Sequence, residues 1–78
     1  ADGAVKEGVP RALAYQLASQ TLAGAAIMQQ KTQQHPGVLK DQVCSPGGST
    51  ICGVEALEKG QLRATLISAI SAAVHYKK

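Results

Sequence analysis

The sequence predicts an all-α domain of about four helices, and three observations carry that expectation. No stretch sustains the apolar-polar alternation of a strand. Prolines stand only at positions 10, 36 and 46, which leaves long uninterrupted segments between them. Within those segments small and apolar residues recur near helical spacing: Leu13, Leu17, Gly24 and Met28 in one, and Leu62, Leu66, Ile70 and Val74 in another.

The elements follow in order. Asp2 to Glu7 reads as the end of a helix, stopped by Gly8. Because the chain starts there without Met, the natural protein is expected to extend upstream. Pro10 opens a long helix from a first-turn position, where its missing N–H costs nothing. Ala14, Ala18, Ala25 and Ile27 flank its apolar row, so one face is apolar and built of small side chains. Such a face lets a second helix approach closely, which fits an intertwined partner better than an isolated bundle. His35-Pro36-Gly37 breaks the helix, and a short helix is expected over 38–43. A further helix over 50–58 places Ile51, Val54 and Leu57 on its inner side and ends at Gly60. The last helix, over 61–75, carries the unbroken row of Leu62, Leu66, Ile70 and Val74, flanked by Ile67, Ala69 and Ala73. That row requires a cover.

Composition points the same way. A chain of 78 residues makes one small all-α unit and buries only about 60% of its unfolded surface. Phe and Trp are absent and aromatics are 3% of residues, so the core must come from Leu, Ile, Val, Met and many Ala. Domains with so thin a core need disulfides, a metal or oligomerisation. Cys44 and Cys52 match neither a C-x-x-C nor a zinc spacing and are read as reduced thiols, with no metal bound. Oligomerisation is therefore the default. The net charge of +3 is dispersed over Lys6, Arg11, Lys31, Lys40, Lys59, Arg63, Lys77 and Lys78. Without a basic stripe or clustered aromatics no nucleic-acid partner is expected, and no apolar run is long enough for a membrane. Positive charge favours anionic small molecules.

The chemistry is expected at one junction. Cys44 to Glu58 reads C-S-P-G-G-S-T-I-C-G-V-E-A-L-E, a tight polar loop running into an amphipathic helix. Pro46 restricts one dihedral, and Gly47 and Gly48 permit turns that other residues resist. Successive backbone N–H groups can then curl toward one point. Ser49 or Thr50 is expected to cap the next helix, whose free amides and dipole favour negative charge at the same place. The expected ligand is a small carboxylate.

Pro36, Leu39, Val43, Ser45-Pro46-Gly47-Gly48, Thr50-Ile51, Gly53 and Leu57-Glu58 together resemble the signature of pyrroline-5-carboxylate reductases, at matching spacing and without gaps. Upstream, Asp2-Gly3-Ala4-Val5-Lys6, Gly8-Val9-Pro10-Arg11, Gln20-Thr21, Gly24-Ala25-Ala26, His35-Pro36-Gly37 and Leu39-Lys40-Asp41 resemble the same family's C-terminal domain. The resemblance implies that residues 1–78 are a dimerisation and substrate-binding domain. It also implies an upstream Rossmann domain, which this chain, lacking G-x-G-x-x-G, does not contain. The implied reaction reduces 1-pyrroline-5-carboxylate to L-proline with NADP or NAD as cofactor, in the cytoplasm or the mitochondrion. The implied assembly is an interleaved homodimer, extending to a ring of dimers. The fragment alone is expected to bind no cofactor and to be inactive.

For the site, the resemblance implies that Val43 and Cys44 line the substrate loop by shape and backbone. Backbone amides around Ser45, Gly47, Gly48 and Ser49 are expected to hold the carboxylate. Thr50, the expected catalytic residue, is placed to face the ring nitrogen with its hydroxyl. His35 is read as solvent-facing or packed rather than catalytic, His75 as inert, and Glu55 and Glu58 as a solvated helix face. Three positions depart from the family pattern: Glu7 where Met is common, Gln33 where some members are acidic, and Leu62 for a frequent Phe. The rival expectation is a non-catalytic helical module whose apolar faces serve only assembly.

Overall fold

The computed structural model describes residues 1–77, so Lys78, counted above among the dispersed cations, lies outside the described residues. Five helices follow one another: α1 (Asp2–Lys6), α2 (Arg11–Thr32), α3 (Pro36–Val43), α4 (Ser49–Lys59) and α5 (Leu62–Val74). No strand occurs among the described residues, and the fold is all-α as expected. Its contacts divide into two compact units, Ala1–Leu39 and the residues from Lys40 onward, where the sequence reading treats the chain as a single unit. The thin core supplies the physical reason, since Ala14 and Leu39 are the buried apolar residues.

In the first unit, α1 folds back on α2. Gly8 makes the corner at φ +104°, a backbone state that costs glycine nothing, and its amide bonds to the Val5 carbonyl at 3.0 Å. The Val9 amide reaches the Ala4 carbonyl at 2.9 Å. Arg11 then pairs with Asp2 across the corner and lies 5.8 Å from the centroid of the Tyr15 ring. Pro10 sits one position earlier than expected. It is the cap residue, in an extended conformation at ψ 142°, and its carbonyl accepts from the Ala14 amide at 2.9 Å. Helix α2 runs 22 residues, about 33 Å at 1.5 Å per residue, and stops where Gln33 turns left-handed at φ 53°. Leu13, Leu17, Leu22, Ile27 and Met28 along it remain exposed.

In the second unit, α4 packs on α5. Helix α4 stops at Gly60, its C-terminal cap residue, as expected. Gly60 adopts ordinary φ −80°, and Gln61 takes the left-handed turn at φ 59°. Arg63 closes the corner by donating to both carboxylate oxygens of Glu58, through Nε at 3.0 Å and Nη2 at 2.5 Å. Ile51, Val54 and Leu57, expected on an inner side, are not buried within the protomer: Ile51 and Leu57 are exposed and Val54 is half-buried. The α5 row has even less cover, with exposure rising from 40% at Leu62 to 73% at Val74. Each such side chain forgoes ~1–2 kcal/mol of burial as long as it faces water.

Candidate functional site

Helix α3 ends at Val43 and α4 begins at Ser49, so Cys44 to Gly48 must reverse the chain in five residues. The Cys44 amide closes the end of α3 on the Asp41 carbonyl at 3.3 Å. A β-turn follows, in which the Gly48 amide donates to the Ser45 carbonyl at 3.0 Å. Pro46 holds the second position and Gly47 the third, at φ +69°, the pattern of a type II turn. Gly48 meets a different constraint. A Cβ there would stand 2.5 Å from Ser45 Oγ and 3.2 Å from the Ser45 carbonyl oxygen, so the closure of the turn leaves no room for a side chain.

Gly48, in extended conformation at φ −81° and ψ 175°, is the cap residue of α4, and no side chain caps the helix. This corrects the expectation that Ser49 or Thr50 would do so. Both lie inside the first turn, one and two residues past the position a capping hydroxyl needs, and glycine is itself an accepted cap residue. The consequence favours ligand binding. The first-turn amides of α4 have no carbonyl one turn back to bond, and no hydroxyl closes them off. The Gly48 amide, by contrast, is spent on the turn, so Gly48 shapes the loop while Ser49 and the residues after it present free donors.

The chain brings the expected residues together as one continuous segment. Val43, Ser45, Gly47, Ser49 and Thr50 are exposed, and Cys44 and Gly48 are half-buried. Cys44 and Cys52 are both free thiols. No group of three or more His, Cys, Asp or Glu among the described residues is disposed to hold a metal ion. A shallow cavity of about 350 Å³ opens instead at the α4–α5 corner, against Leu62, Ala64, Ile67 and the Glu58–Arg63 pair. It includes none of the loop residues.

Electrostatics separates the acidic residues from the site. The hydrogen bond from Arg63 holds the Glu58 carboxyl below its usual range against an opposing desolvation, and the charges of Arg63 and Lys40 add to that lowering. Glu55 pairs with Lys59 one turn on, at 3.4 Å. Both carboxylates therefore serve the solvated face of α4 and its corner, as expected of them. The Glu58–Arg63 clasp itself went unread in the sequence. Its signal was a five-residue spacing across a glycine stop, which helix-periodic pairing does not include.

No helix among the described residues is long and apolar enough to cross a membrane. The family described as pyrroline-5-carboxylate reductase dimerisation matches residues 1–78. The pyrroline-5-carboxylate reductase of Arabidopsis thaliana is 64% identical over 73 residues, covering 94% of this chain and 26% of the relative. That of Pisum sativum is 59% identical with the same cover of this chain and 27% of the relative, and pyrroline-5-carboxylate reductase 3 of Xenopus laevis is 53% identical with the same two shares. Among solved structures, Plasmodium falciparum pyrroline carboxylate reductase with NADP bound superposes with a TM-score of 0.87 at 40% identity, over 92% of this chain and 28% of that one. The chain thus spans about a quarter of the length of the proteins it matches. With a family match over all 78 residues and an all-α fold shared with a solved relative, the chain belongs to the pyrroline-5-carboxylate reductase dimerisation family.

Proposed function

We propose that residues 1–78 are the dimerisation and substrate-binding domain of an enzyme that reduces 1-pyrroline-5-carboxylate to L-proline. The observation that supports this most is the Ser45–Gly48 turn, which hands on an exposed helix N-terminus that no side chain caps. A carboxylate there meets several N–H donors and the positive end of the α4 dipole. In this reading the amides of Ser45, Gly47 and Ser49 hold the substrate carboxylate. Gly48 gives the turn its closure, and Val43 and Cys44 bound the ring by shape. Thr50, whose hydroxyl is not consumed as a cap, hydrogen-bonds the ring nitrogen as it gains a proton.

NADP or NAD supplies the hydride that the C=N carbon receives. The residues of this chain do not fit a dinucleotide, since among those described no strand exists to carry a glycine-rich turn. That task falls to a Rossmann domain upstream, and the chain alone is inactive. A second copy covers the apolar faces of α2 and α5, giving an interleaved homodimer that extends to a ring of dimers. The enzyme works in the cytoplasm or the mitochondrion, without nucleic-acid or membrane partners.

Titration with proline, followed residue by residue in amide spectra, tests the site. Shifts confined to 43–50 are expected, and silence at millimolar ligand would favour a module that serves assembly alone. In the full-length enzyme Thr50→Ala is expected to lower kcat by roughly a hundredfold or more, the scale of a lost proton-handling group. Wild-type turnover by that variant would remove Thr50 from the mechanism. Oxidation of NADPH by residues 1–78 alone, with pyrroline-5-carboxylate supplied, would contradict the division of labour.

A further inference from the structure

Helix α3 begins differently from the others. No side chain caps α1, α2, α4 or α5, whereas His35 Nδ1 accepts a hydrogen bond from the Gly37 amide at 2.9 Å. The His35 carbonyl accepts from the amides of Val38 at 2.9 Å and Leu39 at 3.2 Å, so His35 is the cap residue. Pro36 fills the first helical position, where no donor is missed. The imidazole lies close against the backbone: a Cβ at position 37 would stand 3.0 Å from Nδ1 and 3.2 Å from Cε1. Gly37 therefore makes room for an aromatic ring where caps are ordinarily the short side chains of Ser, Thr, Asp or Asn.

We propose that His35 is a proton-sensitive cap, holding the start of α3 while its imidazole is neutral and releasing it on protonation. An Nδ1 that accepts requires the proton on Nε2, the neutral tautomer. A second proton places N–H against the Gly37 N–H and ends the bond. It also puts a cation at the positive end of the α3 dipole, where cations are disfavoured. The ring is exposed, so protons reach it from solvent. No salt bridge engages His35 among the described residues. The charged groups of the adjoining elements are Lys31 in the last turn of α2, and Lys40 and Asp41 on α3, which pair with each other at 3.2 Å. No free carboxylate on those elements stands ready to hold the imidazolium in place of the lost bond. The bond is thus open to the neutral ring and denied to the imidazolium.

The test is amide exchange at Gly37, Val38 and Leu39 in the intact protein at about pH 8 and about pH 5, the span over which imidazole changes charge, corrected for intrinsic rates. Protection is expected to fall about fivefold at the lower pH, the scale of a lost N-cap. His35→Asn, which caps without titrating, is expected to hold its protection at both values. Unchanged protection in the wild type, or an equal fall in the variant, would overturn the proposal. Long-range proton-nitrogen spectra of the wild-type ring at about pH 8 add a check that needs no variant. They should find Nδ1 unprotonated, and an Nδ1–H tautomer would overturn the cap.

Discussion

The Cys44–Gly48 turn and helix α5 are both exposed, for opposite reasons. The turn is complete within itself: one hydrogen bond, a proline and two glycines determine its path, and no distant residue is needed to explain its shape. Helix α5 is regular but unfinished, since its periodic pattern puts Leu66, Ile67, Ile70 and Val74 in water at 56% to 73% exposure. Exposure at the turn leaves polar donors available to a ligand, whereas exposure on α5 leaves an apolar row that a second surface must cover. A turn that offers free donors and an apolar face that lacks cover therefore lie within 31 residues and answer to different physics, local backbone geometry in one and apolar area in the other.

Charging the α5 row should disturb the molecule most. Leu66→Asp with Ile70→Asp removes two apolar side chains and puts two charges into the covered surface, and association should weaken by roughly a hundredfold or more. Sedimentation equilibrium should find monomer across the micromolar range. Unaltered association would mean that the row is covered by something other than a second copy.

Next in size is the turn. Gly48→Ala sets a methyl 2.5 Å from Ser45 Oγ, which can rotate away, and 3.2 Å from the Ser45 carbonyl oxygen, which can yield only by moving backbone. Gly47→Ala forces a side chain into φ +69°. Each should cost ~1–2 kcal/mol in chemical denaturation while leaving the oligomeric state unchanged. Both should also weaken proline binding. A variant that changes assembly and leaves the ligand untouched would reverse the assignment of the two regions.

The smallest effect belongs to the Glu58–Arg63 clasp, which is exposed to solvent. Because the folded-state pKa of Glu58 is lowered, its contribution is present above the unfolded carboxyl pKa and is lost as pH falls through the lower, folded value. Glu58→Gln should lower the thermal midpoint slightly at neutral pH, and the difference from wild type should vanish in acid. A difference that grows with acidity would show that the clasp does not depend on the carboxylate.

The helices were legible because their signals are local. Pro10, Gly8 and the row from Leu62 to Val74 mark their elements without reference to anything distant, and the Ser45–Gly48 turn could be read from its proline and glycines. The caps were less legible. Ser49 and Thr50 looked like the cap of α4 by residue type, but capping depends on which residue is still extended when the helix begins. The turn makes that residue Gly48. His35 was expected to face solvent or to pack, and only the approach of its ring to Gly37 reveals the bond. At the α4–α5 corner the glycine drew attention, while the left-handed residue is Gln61.

Sequence alone determined the all-α class, the order of the helices and the need for a partner, because periodicity, turn chemistry and composition act over a few residues or over the chain as a whole. Tertiary structure decided which donors are free, which residues carry the reversals and how little of the apolar surface one protomer covers. Those outcomes depend on exact dihedrals and on distances between residues that no spacing rule encodes.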